Sequence, residues 1–156
     1  MGRGIILYQS KYGATEKYAK WLQEQTSYDI AETKKARAET AAGYDVLILC
    51  GGIYASGIAG ISFLRKNKKA LAEIKAHNLK EDLKDIPVFY GRGAWDEASM
   101  TLPDRTMCRM LQKTVAKKDP SEYEPWMSAL MCAAGETCDW TDRKYLEPLL
   151  LYLRQE

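Results

Sequence analysis

The chain has 156 residues, 46% of them hydrophobic and 28% charged. That composition suits one globular domain and excludes a disordered chain. Lys and Arg number 23 against 21 Asp and Glu, a net charge of +2, so there is no electrostatic footprint for nucleic acid.

The first apolar run, Ile5-Ile6-Leu7-Tyr8, reads as a buried strand. It gives way to Gln9-Ser10-Lys11-Tyr12-Gly13, after which Thr15, Ala19 and Leu22 recur at helical spacing. Tyr28-Asp29-Ile30-Ala31 is a weaker second strand. Residues 34–43 are polar and Ala-rich, a connector or short helix ending at Gly43. Val46-Leu47-Ile48-Leu49-Cys50 is a third apolar run, stopped by Gly51-Gly52. A second long helix is expected from Phe63 or Leu64 through Leu71 and Ile74. Pro87-Val88-Phe89-Tyr90 reads as a fourth strand, stopped by Gly91-Arg92-Gly93. Met107, Met110, Leu111, Thr114 and Val115 mark an amphipathic helix that Asp119-Pro120 ends. Ala129-Leu130-Met131-Cys132-Ala133 reads as a fifth strand before Gly135. The last helix carries Tyr145 or Leu146, Leu149 and Leu153, with Pro148 as its start or its kink. Short buried runs alternating with helices predict βαβ units, a mostly parallel sheet and helices on both faces. One three-layer α/β domain over residues 1–156 is the expectation.

Residues 46–64 are nineteen positions without a charge, long enough to span a bilayer. Adjacent glycines and the strand-like first half favour strand, loop and helix start, so no integral membrane segment is expected. The N-terminal apolar run is too short for a secretory leader, and Ile6 stands where myristoylation needs Ser or Thr. Cys50, Cys108, Cys132 and Cys138 form no C-x-x-C pair. Four reduced thiols in a cytoplasmic protein are expected, a Cys132–Cys138 bridge being the alternative. The single histidine, His77, excludes a multi-histidine metal centre, and no metal site is expected.

In open α/β sheets ligands bind beyond the carboxyl ends of the strands. Three such ends carry unusual residues. Ser10, Lys11, Tyr12, Gly13, Ala14 and Thr15 lead directly into a helix N-terminus, where free N–H groups and the helix dipole favour an anion. The competing reading is that Ser10 or Thr15 merely caps the helix. Gly52, Ile53, Tyr54, Ala55, Ser56 and Gly57 form the second end, and Gly91, Arg92, Gly93, Ala94 and Trp95 the third. Each of these two has glycines and one aromatic residue, suited to sandwiching a planar ring. Together the three ends describe a site for a mononucleotide with a broad aromatic ring. No G-x-G-x-x-G fingerprint for a dinucleotide follows the first strand.

The segment from Ile6 to Leu22 resembles the flavodoxin signature: two apolar residues, an aromatic, a hydroxyl residue, Gly13-Ala14-Thr15, then Ala19 and Leu22 at helical spacing. Residues 44–54 resemble the family's third strand and second flavin loop, and Ala133-Ala134-Gly135 resembles the fifth strand end of a branch that includes menaquinone-dependent protoporphyrinogen oxidases. The resemblance implies a flavodoxin-like five-stranded parallel sheet in order 2-1-3-4-5 and one FMN. Its phosphate is then expected at residues 10–15 and its ring between the Tyr54 and Trp95 loops. Gly57 becomes a candidate for a turn that changes with the redox state of the ring. Tyr12 departs from the small hydroxyl residue common in such phosphate loops, and Lys11 offers a cation instead.

Electron transfer is therefore the leading expectation, with a redox partner protein. An FMN-dependent oxidoreductase acting on a small organic substrate is the alternative, with residues 96–106 as its surface. A receiver-like signalling module is a distant third, because Gln9-Ser10 and Cys50-Gly51 stand where acids would be needed. Arg65, Lys66, Lys68 and Lys69 are either a solvated helix face or a dock for an acidic redox partner. Arg92 pairs either with the electron-rich edge of a flavin or with a surface carboxylate.

Overall fold

The computed structural model describes residues 2–36, 41–52 and 85–155. The chain divides into two compact units, residues 1–52 with 141–156, and residues 53–140.

The first unit is built on a three-stranded parallel sheet in the order β2-β1-β3. Strand β1 is Gly4–Gln9, β2 is Asp29–Glu32 and β3 is Val46–Gly51. Helix α1, Ala14–Thr26, connects β1 to β2. The register sets Ile6 opposite both Ile30 and Ile48, a row of isoleucines across one face of the sheet. Ala19 and Leu22, one turn apart on α1, are buried in the same cluster as Ile6 and Ile48. β-Branched residues suit the pleat, and the small Ala19 lets the helix come close.

Glycine is required at position 4 by close approach: the Tyr28 ring occupies the space a Cβ there would need. The C-terminal segment completes this core. A 3₁₀ turn, Arg143–Leu146, runs into the short helix Glu147–Leu153, and buried Leu146 joins the cluster. Pro148 sits in the first turn of that helix, where its missing N–H removes no bond, so it starts the helix rather than kinking it. Lys17 Nζ donates to Thr141 Oγ1 at 2.8 Å, and the Asp142 N–H donates to the Tyr18 hydroxyl at 3.2 Å. Trp21 has the Arg143 guanidinium over its ring at 5.0 Å and Lys17 Nζ at 5.1 Å.

The second unit contains a two-stranded antiparallel ribbon and two helices among its described residues. Strand β4 is Ala94–Asp96 and β5 is Thr137–Asp139, with Trp95 opposite Cys138. Helix α2, Leu102–Val115, packs against α3, Pro125–Cys132. The C-terminal helix of the first unit, Glu147–Leu153, is α4.

Two strand expectations are corrected. Residues 129–133 were expected as the fifth strand; Ala129 to Cys132 belong instead to helix α3. Ala, Leu and Met are helix formers without β-branching, and Pro125 opens the helix at its first turn. Residues 87–90 were expected as the fourth strand; they lie outside any described ladder, and the strand forms at Ala94–Asp96 instead. Pro87 has no N–H to give to a ladder. The described parallel sheet therefore has three strands in the order 2-1-3, and the described β4 and β5 pair antiparallel with each other. The expected helix over residues 63–74, the cluster Arg65, Lys66, Lys68 and Lys69, and His77 lie outside the described residues.

Candidate functional site

The loop between β1 and α1 is the best-defined of the three strand ends. β1 stops at Gln9, and α1 starts at Ala14 with Gly13 as its N-cap. Gly13 has φ 90° and ψ −24°, the left-handed conformation that glycine enters without a Cβ penalty. No side chain caps the helix. The Ser10 hydroxyl oxygen accepts the Gly13 N–H at 3.0 Å, bracing the loop rather than the helix end. The first intrahelical bond runs from the Lys17 N–H to the Gly13 carbonyl at 2.9 Å. The N–H groups of Ala14, Thr15 and Glu16 thus point beyond the start of α1, as the first N–H groups of any helix do.

A hydroxyl that accepts one hydrogen bond keeps its own hydrogen to donate, so Ser10 retains a donor. Thr15 is half-buried in the first turn, and among the described residues its hydroxyl has no hydrogen-bond partner. Tyr12 and Lys11 are both exposed, with Lys11 Nζ 5.4 Å from the centre of the Tyr12 ring. The competing idea of Ser10 or Thr15 as the helix cap does not hold: the cap position is Gly13.

Of the second strand end, Gly52 follows β3 directly, while Ile53, Tyr54, Ala55, Ser56 and Gly57 lie outside the described residues. Cys50, near the end of β3, is half-buried, and burial pushes its thiol up to about 11. It is a neutral group at physiological pH.

The third strand end belongs to the second unit. Gly91, Arg92 and Gly93 form the segment entering β4, and Ala94 and Trp95 are strand residues. The Trp140 N–H donates to the Gly93 carbonyl at 3.1 Å, and the Arg92 guanidinium lies over the Trp140 ring at 4.9 Å. Arg92 therefore has an aromatic neighbour that the sequence reading missed, because the two residues are far apart in the chain. The indole Nε1 of Trp95 is buried and has no hydrogen-bond partner among the described residues. A buried N–H without an acceptor is costly, by about 1–3 kcal/mol.

Past β4 the chain makes a 3₁₀ turn, Glu97–Ser99. The Asp96 carboxylate accepts the N–H groups of Ala98 and Ser99 at 3.0 and 3.3 Å. Asp followed by small residues is a local turn signal that sequence reading could have used. Arg105, on α2, donates to three carbonyls of this turn region, a contact with no sequence signal.

All four cysteines, Cys50, Cys108, Cys132 and Cys138, are free thiols. Burial, with Asp104 and Glu97 nearby, raises the Cys108 thiol above its ordinary value. Among the described residues no helix is long and apolar enough to cross a membrane.

Residues 5–78 match the flavodoxin domain family. The match spans β1, the Ser10–Gly13 loop, α1, β2 and β3, and it supports a flavodoxin-like character for that segment. No curated protein and no solved structure matches the chain.

Proposed function

We propose that the chain is a flavodoxin-like protein that binds FMN and acts in electron transfer. The observation that carries this reading is the N-terminus of α1: capped by Gly13, without a side-chain cap, directly after a strand and inside the flavodoxin-matching segment. Such an end suits a phosphate, which accepts N–H bonds and favours the positive end of the helix dipole. The residues present fit that group. The N–H groups of Ala14, Thr15 and Glu16 and the hydroxyls of Ser10 and Thr15 would hold the phosphate, with Lys11 supplying positive charge nearby.

On the ring side, the proposed contacts are Gly52 to Gly57 and Gly91 to Trp95. The buried, unpartnered indole N–H of Trp95 offers a donor for a polar edge of the ring. When bound, FMN supplies one- and two-electron redox chemistry that no side chain provides. The chain's own part is to hold the phosphate, cover the ring and exclude water around it. In this reading residues 1–156 form one flavodoxin-like domain whose sheet continues past β3 toward the family order 2-1-3-4-5. Four free thiols suit a reducing, cytoplasmic setting.

The test is reconstitution with a mixture of FMN and FAD, followed by mass spectrometry of the acid-released cofactor. FMN recovery supports the reading; recovery of mainly FAD, or of no flavin, overturns it.

A second reading is an FMN-dependent oxidoreductase on a small organic substrate, as in the protoporphyrinogen oxidase branch. The observation favouring it is apolar surface on α2, where Leu102 is 75% exposed and Met110 65%. Turnover of a tetrapyrrole with a quinone acceptor separates it from a carrier, which gives none.

A further inference from the structure

We propose that Arg105 is a positioning residue for the Trp95 side of the flavin site, an inference that rests on the FMN reading above. Arg105 lies in the first turns of α2 and reaches back toward the turn that follows β4. Its Nε donates to the Glu97 carbonyl at 2.9 Å, and its Nη2 donates to the carbonyls of Ala98 at 2.7 Å and Met100 at 3.0 Å. One guanidinium thus satisfies three backbone acceptors that no ladder or helix serves.

The rest of the turn is tied down just as closely. The Asp96 carboxylate takes the Ala98 and Ser99 N–H groups, and Ser99 Oγ donates to the Asp96 carbonyl at 3.0 Å. Arg109 pairs with the Glu97 carboxylate, whose side chain is largely buried. Trp95 is the residue immediately before this turn. Its backbone is held on one side by the ladder with Cys138 and on the other by the turn that Arg105 clamps.

The consequence is a wall formed before any ligand arrives. A ligand meeting a preformed wall does not pay to order it. Removing the guanidinium leaves three carbonyls without their donor and lets the turn sample other conformations. Lysine keeps the charge but lacks the planar fork that reaches several acceptors at once. A role limited to stability would change unfolding and leave a bound flavin's surroundings as they were. A positioning role changes those surroundings.

The experiment compares the full-length wild type with Arg105→Ala and Arg105→Lys. FMN titration followed by flavin fluorescence gives the Kd. Visible circular dichroism and the midpoint potentials report the ring's environment. Hydrogen exchange at the Ala98 and Ser99 amides, in flavin-free protein, reports the turn itself. Arg105→Ala should raise the Kd about tenfold, the equivalent of ordering one or two groups on binding. It should also change the visible dichroism and speed exchange at both amides, with Arg105→Lys intermediate in each.

If the wild type binds FMN and both variants keep its Kd, dichroism and potentials, the positioning role is overturned while the FMN reading stands. If the wild type binds no FMN, the FMN reading falls and this inference with it. Should Arg105→Ala not fold, Arg105→Lys decides alone: a raised Kd and altered dichroism support the inference, and unchanged values overturn it.

Discussion

The Ser10 hydroxyl accepts the Gly13 N–H at 3.0 Å, and this bond holds the loop between β1 and α1 in its bend. It also explains why the helix has no side-chain cap. The residue best placed to cap it is a glycine, and the nearest hydroxyl on the strand side is committed to that glycine's own N–H.

Gly13→Ala should therefore destabilise the protein although a Cβ there would touch nothing within 4 Å. The cost is conformational, because φ at this position is +90°. A left-handed alanine costs about 1–2 kcal/mol, and Gly13→Asn should cost less because asparagine tolerates that region better. Urea denaturation of flavin-free protein checks it. Equal midpoints for the wild type and Gly13→Ala would show that the loop relaxes away from the left-handed turn.

Thr15→Ala should weaken FMN binding more than Cys108→Ala does. A hydrogen bond to a charged group is worth roughly 1.5–3 kcal/mol, or about ten- to hundredfold in affinity. Cys108 is buried in α2, outside the loops proposed to meet the cofactor, so its variant controls for general destabilisation. Equal dissociation constants in the two variants would remove Thr15 from the phosphate site.

Stability should fall with rising pH in a window set by Cys50. Burial holds the folded-state thiol near 11, above its ordinary value of 9.0. Between those values the unfolded thiol has lost its proton while the folded one keeps it. The unfolded state then binds fewer protons, so the slope of stability against pH is negative. At about 1.36 kcal/mol for each pH unit of displacement, the loss reaches roughly 2–3 kcal/mol once both states are ionised. Urea midpoints of the wild type and Cys50→Ala, measured from pH 8 to pH 11, isolate this contribution. The variant should show the shallower decline; parallel curves would mean that the thiol ionises as easily in the folded protein.

Leu146→Ala should destabilise strongly. Leu146 is buried against Ile6, Ala19, Leu22 and Ile48, and a buried leucine truncated to alanine costs about 2–5 kcal/mol. Leu151→Ala, on the exposed side of α4, should stay within about 0.5 kcal/mol. Calorimetric or urea midpoints test the contrast. Similar small shifts for both would detach the C-terminal segment from the core of the first unit.

The strand, loop and helix at the start of the chain were determined by local sequence. Ile5-Ile6-Leu7 is a buried run, Gly13 accepts a conformation other residues resist, and Ala19 and Leu22 share a helix face, all within reach of one another along the chain. The parallel β2-β1-β3 pairing follows from the same alternation of strands and helix. Tertiary structure decided the rest. The run Ala129-Leu130-Met131-Cys132-Ala133 is too short and too uniformly apolar to carry a period, so packing against α2 settles it as helix. Trp95 pairing with Cys138, Trp140 lying under Arg92, and Arg105 holding the turn after β4 all join residues whose separation leaves no local pattern. Periodicity reports which face of an element is apolar. It does not report which surface will cover that face, because that depends on the free energy of packing between elements brought together only by the folded chain.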